Sequence, residues 1–300
     1  MNTIELQNIT KTFGKTVAVD RLSLAVPRGS VYGFIGPNGS GKTTTLRMIM
    51  NILRPDRGRI TVFAQPLTRA CTDRIGYMPE ERGLYNRMKV RELLRFYGQL
   101  KGGILVKKQV DLWLEKLGLQ PWANKKLQTL SKGMSQKVQF IAAVVSRPEI
   151  VLLDEPFAGL DPINADAIKD AVLSLQARGA TVILSTHDMN VAENMCDFIF
   201  MIFKGKKVLD GTLSAIQNEY GSDTIRVQSE GGEYALRNLT GVQKVTDFGR
   251  MQELRMARDC DPQEVLRQIM SRTRVRSFNI VKPSLRDIFL RIADTQAREV

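Results

Sequence analysis

Residues 31–44 read VYGFIGPNGSGKTT, an apolar five-residue run that passes into a glycine-rich turn and ends on a lysine and two threonines. The run Val31 to Ile35 has the length and composition of a fully buried strand. The turn matches the pattern G-x-x-x-x-G-K-[ST] at Gly36, Gly41, Lys42 and Thr43. Its glycines let the backbone of Gly36, Pro37, Asn38, Gly39, Ser40 and Gly41 wrap closely round a phosphate. The N–H groups opening the next helix, at Lys42, Thr43 and Thr44, then point at the same anion. Lys42 can then reach the β- and γ-phosphates of a nucleotide, and the Thr43 hydroxyl is left to coordinate Mg²⁺.

Working outward, Leu46, Ile49, Met50 and Leu53 mark a helix closed by Pro55 and Gly58. Upstream, Ile4, Leu6 and Ile9 and then Val17, Val19, Leu22, Leu24 and Val26 alternate as amphipathic strands do. Downstream, Val90, Leu93, Leu94 and Tyr97, and Val110, Trp113, Leu114 and Leu117, define two helices of an insert spanning about residues 80–146, with a third helix beginning near Gly133. Buried strands at Ile150–Leu153 and Thr181–Ser185 alternate with a helix carrying Ile168, Val172 and Leu175, and a hairpin is expected around Lys204–Lys206. That alternation predicts an α/β fold with a parallel sheet. A second, small α/β domain is expected from Gly221 to Val300, after a first domain over residues 1–220. In it Ile225 and Val227 alternate as a strand, Val265, Leu266 and Ile269 fit a helix, and Leu285, Ile288, Phe289 and Ile292 follow helical spacing.

The composition excludes several classes. Of 300 residues, 43% are hydrophobic and 25% charged, an ordinary globular balance. No apolar run approaches the roughly 18 residues of a membrane span. The opening MNTIELQNITK lacks the basic and apolar segments of a signal peptide, so a cytosolic address is expected. Cys71, Cys196 and Cys260 are scattered and read as reduced structural thiols. The net charge of +13 is concentrated: residues 80–146 hold 13 basic and 5 acidic residues, and residues 221–300 hold 14 and 11. Without zinc-finger spacing or an aromatic RNA-binding motif, no nucleic-acid partner is expected. The basic segment reads as a solvated face or as a surface for an anionic membrane or membrane partner.

Residues 150–155 read IVLLDE, a buried strand with two acids at its C-terminal end, where open α/β sheets place their ligands. Asp154 fits a Mg²⁺ carboxylate, and Glu155 can polarise an attacking water. His187, the only histidine, follows the strand TVILST on the same edge and is expected to contact the γ-phosphate.

Together these residues resemble an ATP-binding-cassette (ABC) ATPase. The specific element is LSKGMSQK at residues 130–137, standing in place of the family's LSGGQ signature. Over about residues 1–220 the resemblance implies a P-loop NTPase cassette with a mostly parallel sheet core, an antiparallel β subdomain and a helical subdomain. It implies that Ser131, Lys132, Gly133 and Met134 act in trans on the γ-phosphate held by a second subunit, with Ser131 as helix N-cap. It further implies Phe13 as the adenine-stacking aromatic, Leu160 and Asp161 as the loop communicating across the dimer, and His187 as the switch histidine. Lys132 and Met134 depart from the signature consensus. Glu80, within IGYMPEERGLY, stands where the family's Q-loop glutamine lies and joins Thr43 and Asp154 in the expected metal set.

These departures and the C-terminal extension resemble a bacterial export branch related to sodium-efflux and drug-resistance ATPases. The function implied is ATP hydrolysis, with ATP and Mg²⁺, that drives a separate membrane-spanning subunit in export. The chain would pair with a second ATP-binding subunit as homodimer or heterodimer, and sit in the cytoplasm, peripheral on the inner face of the cell membrane. A soluble ABC protein of translation or DNA maintenance is the alternative, although such proteins usually carry two cassettes or a long coiled coil. A GTPase switch would call for an N-K-x-D-type motif, which the sequence lacks.

Overall fold

The computed structural model describes residues 2–81, 83–102, 106–220, 224–257 and 260–298, with side chains described up to residue 293. The chain divides into two compact units, Met1–Gly211 and Thr212–Val300. Sequence reading put the boundary at Gly221, which lies outside the described residues. The earlier division reflects a helix just after Gly211, whose Gln217 and Asn218 bond to Pro283 and Lys282 of the second unit.

In the first unit, β1 (Asn2–Phe13) and β2 (Thr16–Pro27) form a long antiparallel hairpin. Ile4, Leu6 and Ile9 of β1 are buried, and Gln7 and Asn8 between them face solvent. The chain then runs through β3 (Val31–Ile35) and α1 (Lys42–Ile49) to β4 (Arg57–Val62) and β5 (Gln65–Pro66). These strands complete an antiparallel sheet ordered β2-β1-β4-β5. α1 ends at Ile49, so Leu53, expected on the helix, lies in the turn beyond it.

Next come α2 (Arg69–Asp73), β6 (Ile75–Met78) and the helical insert, α3 (Val90–Leu100), α4 (Val106–Lys116) and α5 (Lys132–Val144). They are followed by β7 (Ile150–Asp154), α6 (Pro162–Ala177), β8 (Thr181–Thr186), α7 (Met189–Met195), β9 (Phe198–Phe203) and β10 (Lys206–Gly211). Six strands form the central sheet in the order β10-β9-β3-β8-β7-β6. All neighbours run parallel except the β9–β10 hairpin. Every residue of β3, β7 and β8 is buried, which is why these strands read as continuous apolar runs rather than alternating ones. Because the strands are parallel, the C-terminal ends of β3, β7 and β8 share one edge of the sheet.

The insert shares a core with one face of this sheet. Leu93 and Leu94 of α3, Val110 and Leu114 of α4, and Ile141 of α5 are fully buried together with Val151 and Leu153 of β7. Trp113 meets Phe140 edge to face, with ring centroids 5.8 Å apart. Burying each such large side chain contributes about 1.5–3 kcal/mol, so this shared core holds the insert helices to the sheet.

The second unit contains α8 (Leu213–Glu219), β11 (Thr224–Ser229), α9 (Gly232–Ala235), β12 (Val242–Asp247), β13 (Gln252–Met256), α10 (Pro262–Met270), β14 (Val275–Val281) and α11 (Leu285–Arg298). Its antiparallel sheet runs β12-β13-β11-β14. From β11 to β14 the order is β-α-β-β-α-β, the ferredoxin-like arrangement. Ile225, Val227, Leu254, Val265 and Ile269 form its core, while Leu266 is only partly buried. Among the described residues no helix is long and apolar enough to cross a membrane.

Candidate nucleotide site

The loop after β3 and the first turn of α1 form the floor of a cleft of about 310 Å³, lined by residues 38–44 with Ala18, Glu80 and Glu155. Gly41 precedes α1 with φ of 111°, a left-handed conformation that a side chain would strain. A Cβ there would also stand 2.5 Å from the Ala18 carbonyl oxygen. No side chain caps this helix, whereas Ser131, Asp161, Asp188 and Thr212 cap α5, α6, α7 and α8. The first N–H groups of α1 are therefore left to an outside acceptor, and the helix dipole favours an anion.

Lys42 is nearly fully buried, and its Nζ donates to the carbonyls of Gly36 at 2.7 Å and Pro37 at 3.2 Å. It also stands 3.6 Å from Glu155 Oε1, itself buried. On the other side His187 Nδ1 lies 2.9 Å from the same Oε1, with the His187 side chain 54% exposed toward solvent. Glu155 holds a left-handed backbone, φ 49°, while its N–H still bonds to Ser185 O at 3.1 Å. Such a conformation costs a non-glycine residue on the order of 1–3 kcal/mol. Here the adjoining strands β7 and β8 impose it, and Glu155 lines the cleft beside Lys42.

Asp154, the residue before, is completely buried. Ser185 Oγ donates to its Oδ1 at 2.5 Å, and Oδ2 has no hydrogen-bond partner among the described residues. The Tyr77 hydroxyl is pushed up by burial and, next, by the negative charge of Asp154. Ser40 Oγ is also buried without a partner. Buried polar atoms left unpaired are costly, so Asp154 Oδ2 and Ser40 Oγ are open to an outside partner.

Two glutamines that the sequence reading passed over tie α5 to these loops. Gln139 Nε2 donates to the carbonyls of Pro79 at 2.7 Å and Glu81 at 3.1 Å, bracketing Glu80, which lines the cleft. Gln136 Nε2 donates to Pro156 O at 3.3 Å. Both are buried. The available signal was a pair of amides three residues apart on the otherwise apolar stretch VQFIAAV and its approach.

The signature residues lie elsewhere. Ser131 Oγ accepts from Met134 N at 3.3 Å as the cap of α5, and none of residues 131–134 lines the cleft. They meet the start of α6 instead. A Cβ on Gly133 would stand 2.8 Å from Asn164 Nδ2, and the Lys132 ammonium lies against Gly159. Asn164 in turn bonds to Asp161, through N at 3.0 Å and Nδ2 at 2.5 Å, and these bonds hold the Asp161 carboxyl below its ordinary range. The signature turn and the Leu160–Asp161 loop thus form one surface. Phe13 ends β1 at 48% exposure beside Lys11 and does not line the cleft, whereas Ala18 of β2 does.

Comparison with known proteins agrees with this geometry. The family model described as "ABC transporter" matches residues 19–158, and that of the "ATP-binding protein DrrA1-3-like, C-terminal domain" matches residues 211–293. The chain is 38% identical over 289 residues to the ABC transporter ATP-binding protein YhaQ of Bacillus subtilis (strain 168), covering 96% of this chain and 97% of the relative. It is 32% identical to the Nod factor export ATP-binding protein I of Sinorhizobium fredii (strain NBRC 101917 / NGR234), covering 99% and 87%. A solved "ATP binding subunit of ABC transporter" superposes with a TM-score of 0.69 at 28% identity, over 73% of this chain and 93% of that one. A phosphate loop, a buried acid pair and a lone histidine on one sheet edge, in a chain that aligns with such relatives over nearly its whole length, leave one conclusion: the chain belongs to the ABC transporter ATP-binding proteins.

Proposed function

We propose that the chain binds Mg-ATP, hydrolyses it at a site completed by a second ATP-binding subunit, and thereby drives a separate membrane-spanning subunit in export. The observation that carries this reading is the convergence of Lys42 and His187 on a single oxygen of Glu155 inside the phosphate-loop cleft. Lys42 gives up its carbonyl and Glu155 contacts to neutralise the β- and γ-phosphates. Glu155 then has an oxygen free to polarise the attacking water, while His187 holds that carboxylate and reaches the γ-phosphate. Thr43 and Asp154, with Glu80 beside them, would hold Mg²⁺, which supplies charge neutralisation on the phosphates. Phe13, exposed at the end of β1, would stack the adenine.

The signature supports a second subunit. Residues 131–134 stay away from the cleft of their own chain, so a γ-phosphate bound there meets them only if another subunit presents its own copy. The pair Lys132 and Gly133 would then act with Asp161 at that interface. Export rests on relatives whose names carry it, such as the Nod factor export protein. The second unit, Thr212–Val300, acts as an accessory domain, and the site lies on the cytoplasmic side of the cell membrane.

The test is purification from membranes with Lys42→Ala alongside. The unaltered chain should recover with a multi-span hydrophobic protein and release phosphate from Mg-ATP, and Lys42→Ala should lose turnover. Recovery with ribosomes or DNA, or undiminished turnover by Lys42→Ala, would sink the reading.

A further inference from the structure

At the opposite end of the parallel strands from the nucleotide cleft lies a second cleft of about 410 Å³. It is walled by Arg28 after β2, Arg147 after α5 and Arg178 after α6, and its apolar lining includes Trp113 and Phe63. Among the described residues none of the three arginines has a carboxylate within ion-pair distance. The single acid on the lining, Glu149, is taken by Arg74 at 2.7 Å, and Arg74 also stacks on Phe63 at 3.7 Å. Three positive charges therefore face one negative charge that is already satisfied. The effect is felt nearby: the Lys116 ammonium is held below its ordinary range, first by burial and then by repulsion from Arg178.

Helix dipoles favour cations at Arg147 and Arg178, which follow the C-termini of α5 and α6. That reason does not extend to Arg28, which follows a strand, nor to Gln109. Gln109, on α4, is 96% buried overall and lines this cleft.

We propose that this cleft is a second ligand site, and that it takes a small phosphate monoester. Guanidinium forks match phosphate oxygens in geometry and charge. Trp113 and Phe63 offer an apolar wall to the esterified group, and Gln109 offers one donor and one acceptor to a polar atom on it. The volume falls in the usual range for small-molecule sites. A ligand here would bridge α4 of the helical insert, the antiparallel sheet and the ends of α5 and α6. It would thus restrain the insert without touching the nucleotide.

Trp113 is one of only two tryptophans, so Trp122→Phe in the full chain leaves it as a fluorescent reporter. Phenyl phosphate is titrated with the phosphate-loop cleft saturated by Mg²⁺ and a non-hydrolysable ATP analogue. The expected result is a saturable change in Trp113 emission, weakened at least about ten-fold by Arg147→Gln or Arg178→Gln, since each removes a charge-assisted bond. Gln109→Leu should weaken it less, and Arg54→Gln, on an exposed surface elsewhere, should leave it unchanged. Circular dichroism confirms that each variant is folded. No saturable response, or one equal in the folded arginine variants, overturns the proposal.

Discussion

His187 Nδ1 lies 2.9 Å from Glu155 Oε1, and the Lys42 ammonium approaches that same oxygen at 3.6 Å. One carboxylate oxygen is thus approached by both the His187 imidazole and the Lys42 ammonium. Lys42 and Glu155 are both nearly desolvated, and breaking such a pair without replacement costs about 3–5 kcal/mol. In the proposed function an entering phosphate would supply the replacement for Lys42 and free Glu155 to act on water.

Glu155→Gln should therefore bind Mg-ATP and turn it over about 10²- to 10⁴-fold more slowly, because the amide keeps the shape and loses the base. Trapped before hydrolysis, it should accumulate as an ATP-dependent dimer by light scattering. A monomer at saturating Mg-ATP, alone and with its membrane partner, would contradict the shared-site arrangement.

Gln139→Leu should lower kcat several-fold while leaving nucleotide affinity nearly intact. It keeps the side-chain volume and removes both bonds that hold the carbonyls of Pro79 and Glu81, so Glu80 loses its fixed position. The stability cost should be about 0.5–1.5 kcal/mol per bond, a few degrees in Tm. Unchanged kcat in a destabilised protein would reduce Gln139 to a packing role.

Arg87→Glu with Lys89→Glu should uncouple transport while sparing the basal turnover of the isolated chain. Both are exposed on the basic insert just before α3. Arg91 belongs in the same sequence cluster but is engaged by Asp111 and by Gln120 at 3.2 Å, so reversing it would disturb the insert itself. Normal transport in reconstituted vesicles by the double variant would move the partner contact elsewhere.

A chain ending at Gly211 should fold and bind Mg-ATP, with dimerisation or turnover altered. Ending at Tyr220 instead would strand α8, because Gln217 and Asn218 bond to Pro283 and Lys282 and Arg291 donates to the Tyr220 carbonyl. Loss of nucleotide binding in a fragment with intact circular dichroism would show that the second unit helps build the site.

The sequence by itself determined the phosphate loop, the acid pair, the lone histidine and the alternation of buried strands with helices. Each is local: glycine spacing fixes what the backbone can wrap, and an apolar run of five fixes a strand buried on both faces. Only the tertiary structure decided what these parts do to one another. Strand order β3-β8-β7 brings Lys42 to Glu155 across 113 positions of sequence and sets His187 against the same oxygen. The fold of α5 onto the sheet turned Gln136 and Gln139 from unremarked polar residues into ties to Pro156, Pro79 and Glu81. Likewise the β-α-β-β-α-β order of the second unit depends on pairings such as β11 with β13 and β14. Spacing along a chain specifies periodicity and turns, whereas pairing between distant segments is chosen by which buried faces fit together.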